Sequence, residues 1–222
     1  MNKLTSAQKW MINAGAILAD ENDMPDDRLH AFDSNDDHKV NTVIRMFNDD
    51  WGVDNIDALI GIMNNFITEK GGHNISFCET RNYWARFSAQ QAHQGMQHYN
   101  DDQQSDIQLA LTHAHSIGPA GVLSWDLARC VPMLRNAYSL SWIGEEEVWK
   151  NLQTISIKLQ KSYQSWEQAG TAYIVGRLFW AKGGLSESTC HYYFSMLKRI
   201  LINPEHAWNT IDWDTKLCEK VI

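Results

Sequence analysis

Residues 165–180, from Ser165 to Trp180, constrain the chain more than any other stretch: they read as a helix with almost no polar face that still carries an arginine. At ~100° per residue, Trp166, Gly170, Tyr173, Arg177 and Trp180 fall on one stripe, while Ala172, Val175, Leu178 and Phe179 cover the opposite side. A helix that is apolar all round belongs inside a domain. The Arg177 guanidinium must then find a partner, because an isolated interior charge is prohibitively costly. The expectation is a helical protein with a polar centre, in which acids from neighbouring elements neutralise Arg177.

The rest of the chain also reads as α. Thr5 and Gln8 form a capping box for a helix over 5–19, with Trp10, Ala14, Ile17 and Leu18 on its apolar face. A short helix is expected over 40–47. Ile56, Leu59, Ile60, Met63, Phe66 and Ile67 then recur at three- and four-residue steps until Gly71-Gly72. Residues 82–104, rich in Gln, His and Asn, read as irregular with helical parts. Ile107, Ala110, Leu111, Ala114 and Ile117 restore the period. Ser124 is expected to cap a helix from Trp125 to Ser139, which Pro132 should kink or split because proline has no N–H. Glu145-Glu146-Glu147 suit a helix start, with Val148, Leu152, Ile155 and Leu159 facing the core. Ser165 and Gln168 make a second capping box, Gly183-Gly184 end the central helix, and 186–202 and 204–218 supply the closing helices.

No alternating β-branched run reaches the length of a strand. The fold class is therefore all-α: one multi-helix domain over 1–222, with about eight to ten helices and at most a minor β-hairpin. Residues 20–38, with eight acids, one arginine and Pro25, read as an acidic flexible connection.

A net charge of −8 disfavours nucleic acid and anionic membrane as partners. No apolar stretch approaches the ~18 residues of a membrane span, and the opening residues lack a signal-peptide core, so a cytoplasmic protein is expected. Cys78, Cys130, Cys190 and Cys218 match no zinc or redox spacing and read as reduced thiols. His113 and His115 diverge around their helix, as do His93 and His98, and no His-Glu-x-x-His occurs; neither metal nor cofactor is expected. Phosphate-cradling glycine motifs and the Gly-x-Ser-x-Gly nucleophile turn are also missing.

The residues left to carry chemistry are arginines and acids. Asp126 and Arg129 lie three apart on one helix beside Trp125; Glu167 opens the central helix and Arg177 lies further along it. Asp126, Arg129 and Arg177, with Glu167 as a further member, are expected to form one cluster walled by Trp166 and Tyr173, with Trp180 closing the stripe. Two readings stand: a polar staple fixing helix packing, or a pocket for an anionic or planar ligand with forked guanidinium donors. Catalytic residues are not identified, Glu167 being the nearest candidate base.

Three blocks carry a family resemblance: Trp51-Gly52-Val53-Asp54 leading to Gly72-His73; Ser124-Trp125-Asp126-Leu127-Ala128-Arg129 leading to Glu145-Glu146-Glu147-Val148-Trp149; and Ser165-Trp166-Glu167 leading to Gly176-Arg177-Leu178-Phe179-Trp180. Over 51–182 the chain resembles the bacterial domain-of-unknown-function family 1266, with departures at Pro132 and in the Gln-rich stretch 90–104. The resemblance implies a bacterial intracellular protein and brings no reaction, cofactor or catalytic residue. Abundant tryptophan and negative charge favour a non-enzymatic adaptor or immunity-like module that binds another protein. The alternative is a small-molecule anion binder or enzyme using an Arg/Asp/Trp-lined pocket.

Overall fold

A computed structural model describes residues 3–181 and 187–217. They form thirteen helical segments and no strand: α1 (Ser6–Asn13), α2 (Ala16–Glu21), α3 (Asp37–Trp51), α4 (Ile56–Ile67), α5 (Asn74–Trp84), α6 (Ala89–Met96), α7 (Asp101–Ile117), α8 (Leu123–Ala128), α9 (Cys130–Ser139), α10 (Glu145–Ser162), α11 (Trp166–Trp180), α12 (Glu187–Ile202) and α13 (Ala207–Thr210). The all-α architecture is as expected. The helices outnumber the expected eight to ten because two expected helices are each broken in two and two more, α5 and α6, form where no helical period was read.

The two breaks meet in space. Pro132 has no N–H to give the Ala128 carbonyl, so the helical ladder lapses at Arg129, between α8 and α9. The helix expected over 5–19 breaks at Ala14-Gly15, where a Cβ on Gly15 would lie 2.6 Å from Pro132 Cδ and 2.8 Å from the Ala128 oxygen. The two interruptions are packed together. Ser124 does not cap: it lies inside α8, where its N–H donates to the Tyr163 hydroxyl at 2.9 Å.

Elsewhere the cap chemistry works much as read. Thr5 and Gln8 close their capping box; at Ser165 only half of the expected box forms, Ser165 accepting from Gln168 N at 3.1 Å while Gln168 Oε1 accepts from Gln164 N–H at 2.8 Å. Two boxes not read from the sequence, Ser88/Gln91 and Asn100/Gln103, start α6 and α7. The Asp36 carboxylate caps α3, which runs well past 40–47 to Gly52 in the left-handed region (φ 62°). The expected stop at Gly183-Gly184 lies outside the described residues.

Helix α11 runs through the core and is buried along nearly its whole length. It meets α8 so closely that a Cβ on Gly176 would lie 2.3 Å from Trp125 Cβ. Near its start, Trp166 stacks on Trp208 at 5.2 Å and meets Trp10 at 4.6 Å and Trp213 at 4.8 Å. This cluster and its neighbours enclose only about 10 Å³. Trp166 is therefore core, not the wall of a site.

The acidic stretch 20–38 does not lie free. Arg135, fully buried on α9, donates to the backbone carbonyls of Pro25, Arg28 and Leu29. Leu29 and Ala31 are buried, and Ala31 N–H donates to Ser139 Oγ at 2.8 Å. Charge content implied a solvated connection, but three carbonyls that solvate a buried guanidinium dock it instead. No helix among the described residues is long and apolar enough to cross a membrane.

Candidate functional site

The polar centre is built on Asp126. Its carboxylate is buried and accepts three hydrogen bonds, from His73 N–H at 3.0 Å, Asn74 N–H at 2.9 Å and Arg129 Nη2 at 3.0 Å, while His73 Nδ1 lies 3.6 Å away, too far for a fourth. His73 is the N-cap residue of α5, so a side chain from α8 satisfies the orphan donors at the start of α5. Gly72 makes room for it. Its φ is +90°, and a Cβ there would lie 2.4 Å from Asp126 Oδ2. The Gly71-Gly72 pair read as a helix stop is also the cradle of this carboxylate.

Arg129 is the cationic partner expected for Asp126. Its Nε donates to the Trp125 carbonyl at 2.7 Å. The guanidinium lies over three rings, 4.0 Å from the Trp125 centroid, 5.0 Å from Trp51 and 5.4 Å from Phe66. Burial pulls its pKa down and Asp126 opposes that shift. The neighbouring Cys130 thiol is pushed up to about 12 by burial, which makes it a packing residue rather than a nucleophile.

Arg177 does not join Asp126 and Glu167. Its carboxylate partner is Glu21 on α2, with Nη2 to Oε1 at 3.6 Å, too long for a hydrogen bond. The guanidinium packs over Tyr193 at 4.5 Å and lies 5.8 Å from the Trp125 centroid. With 22% of its side chain exposed, Arg177 is half-buried, and its Nε has no hydrogen-bond partner among the described residues. Glu21 Oε2 is also buried without a partner among the described residues, and burial raises the Glu21 pKa against the pull of Arg177. Glu167 is exposed in the first turn of α11, ten residues before Arg177. It leaves the candidate set because it starts the helix on a face turned to solvent.

The two arginines both approach Trp125, at 4.0 and 5.8 Å, and its ring contacts Tyr173 at 5.1 Å and Trp180 at 5.9 Å. Tyr173 is wholly buried, and burial raises its pKa. Outside this layer opens a groove of about 540 Å³ between α2–α3 on one side and α8, α9 and α11 on the other. Arg129, Arg177, Lys39 and Asp50 bring charge to it, Trp51, Trp125 and Trp180 aromatic faces, and Leu18, Phe32, Val43 and Met133 an apolar bed. Three cations face one carboxylate, although the chain as a whole carries −8. Besides Arg177 Nε, two buried polar atoms of lining residues, Trp125 Nε1 and Asn136 Oδ1, have no partner among the described residues.

The structure thus keeps Asp126, Arg129, Tyr173, Arg177 and Trp180 in one neighbourhood and removes Trp166 and Glu167 from it. Sequence reasoning missed Glu21, Trp51, Lys39 and Gly72. Trp51-Gly52 and Gly72-His73 were visible as motifs, but their spatial role was not. No group of three or more His, Cys, Asp or Glu among the described residues could hold a metal ion.

A family profile described as "Protein of unknown function (DUF1266)" matches residues 46–213. Over 158 residues the chain is 24% identical to "Uncharacterized protein YbeU" of Escherichia coli (strain K12), covering 70% of this chain and 66% of that protein. The alignment thus spans just under two thirds of the relative's length. No solved structure matches.

Proposed function

This chain belongs to the DUF1266 family, whose description names no reaction, and we propose that it binds a small organic anion with an apolar or aromatic body in the groove beside Trp125. The observation that carries the reading is the chemistry of the walls: Arg177 and Arg129 at one end, three tryptophans around them, and an apolar bed beyond. A carboxylate or phosphate suits guanidinium forks, and a hydrocarbon or ring suits the bed. Arg129 is already held by Asp126 and the Trp125 carbonyl. Arg177, half-buried, held by Tyr193 and only distantly by Glu21, keeps an Nε without a partner among the described residues and is the donor left for a ligand.

The test is thermal unfolding against a panel of alkyl and aryl carboxylates, phosphates and nucleotides, each beside a neutral counterpart. Ligand at about a hundred times its Kd stabilises by ~2.7 kcal/mol. Amphiphilic carboxylates should raise the midpoint by several degrees and the neutral counterparts should not. A flat response to every anion would end the proposal.

A second reading rests on Trp180, which is 50% exposed at the groove's edge. A protein partner presenting an acidic side chain could use the same indole and arginines as an anchor. In that case Trp180→Ala abolishes capture of the partner while small anions leave the midpoint unchanged.

A further inference from the structure

Residues 82–104, marked by composition only as polar and irregular, build a second and smaller core around Trp84, Ala92 and Ile107. Tyr83, Phe87 and Tyr99 gather about Trp84 and stay open to solvent, at 49%, 40% and 41%. Single exposed apolar residues are ordinary, but three neighbouring aromatic rings mark a surface with a use.

The rings do not form a flat patch. Tyr83 is inclined at 82° to Trp84 and 60° to Phe87; Trp84 makes 55° with Phe87 and 75° with Tyr99. Rings set at such angles offer no common plane on which a sugar or base could stack. With Gln91, Gly95 and His98 they line an open hollow of about 400 Å³. Gly95 helps to make it: a Cβ there would lie 3.0 Å from the Trp84 ring, so the bare backbone lets the indole lie against α6. No lining residue carries a permanent charge. Charges of both signs flank it in sequence: Glu79 lies one turn before Tyr83 on α5, Arg86 directly precedes Phe87, and Asp101 and Asp102 directly follow Tyr99-Asn100.

Aromatic faces carry negative potential and attract a cation placed over them. A compact, weakly hydrated cation gains most where several faces surround it, because it loses little hydration on entering. We propose that the hollow formed by Tyr83, Trp84, Phe87 and Tyr99 binds the trimethylammonium group of a small soluble quaternary-ammonium compound. It shares no lining residue with the groove at Trp125, so the two proposals stand or fall separately.

The test uses the full chain, labelled with ¹⁵N at its tryptophan indoles, titrated in mildly alkaline buffer. The probes are choline, tetramethylammonium, and the neutral isostere of choline in which carbon replaces nitrogen. Both cations should shift the Trp84 resonance saturably, and the neutral isostere should bind at least about fivefold more weakly. Phe87→Leu and Tyr99→Leu change rings at the rim, so they should leave the circular-dichroism spectrum intact and each weaken choline by about fivefold. Equal binding of the neutral isostere, no saturation by either cation, or unchanged affinity in both folded variants would overturn the assignment. Retention on phosphatidylcholine vesicles with no response to free choline would also overturn it, since the compound proposed is soluble.

Discussion

Removing the Asp126 carboxylate is the most informative perturbation of the polar centre. In Asp126→Ala the Arg129 guanidinium stays buried with the Trp125 carbonyl and aromatic faces but no anion to compensate it, and the His73 and Asn74 N–H groups lose their acceptor. Breaking one side of a buried pair costs roughly 3–5 kcal/mol, and an emptied N-cap roughly a further 1 kcal/mol. A domain of this size loses ~2–4 °C of Tm per kcal/mol, so a fall of roughly 10 °C or more is expected. Asp126→Asn should recover little, because an amide NH₂ in place of either oxygen faces N–H donors. Arg129→Met should cost less than Asp126→Ala, since Asp126 keeps both backbone donors. The double variant should be no less stable than Asp126→Ala alone, because the stranded charge is gone. Urea denaturation of the wild type and these variants reads each quantity. A cost under ~1 kcal/mol for Asp126→Ala, or strictly additive losses in the double variant, would refute the reasoning.

Three further outcomes follow from the packing. Gly176→Ala forces a methyl onto the Trp125 Cβ at 2.3 Å, and overpacking of this kind should destabilise by ~1–3 kcal/mol in thermal unfolding. Arg135→Ala strands the carbonyls of Pro25, Arg28 and Leu29, so limited proteolysis should cut first between residues 22 and 36, where the wild type resists. Burial raises the Glu21 pKa in the folded chain, so the folded state takes up a proton more readily than the unfolded one. The wild type should therefore gain stability relative to Glu21→Gln as pH falls from 7 toward the ordinary glutamate value of 4.5, and hold that gain below it; denaturant midpoints for both across that window check the sign.

Much of the fold could be read because local rules decided it. Thr5/Gln8 and the apolar steps from Ile56 to Ile67 need no tertiary information, and they appear where periodicity and capping put them. Pro132 announced a break, but its register became clear only with Gly15 packed into the gap. Of the site, Asp126 and Arg129 were legible because they are three apart on one helix and face the same way. The charge state of Arg177 was legible too, but not its partner: Glu21 lies in a segment that composition marked as solvated. Nor does local spacing tell a tryptophan that fills a core, such as Trp166, from one beside a groove, such as Trp125. The groove itself is long-range. Its Arg129, Arg177, Trp51 and Trp125 lie within the family-matched 46–213, while Leu18, Phe32 and Lys39 lie before it.

The most direct test of the groove as an anion site is calorimetric titration of decanoate into the wild type and Arg177→Gln, with decanol as the neutral control. One saturable site is expected in the wild type. A charge-assisted contact is worth ~1.5–3 kcal/mol, so Arg177→Gln should weaken it by roughly ten- to a hundredfold. Decanol binding as tightly as decanoate, or a folded Arg177→Gln with unchanged affinity, would contradict the assignment.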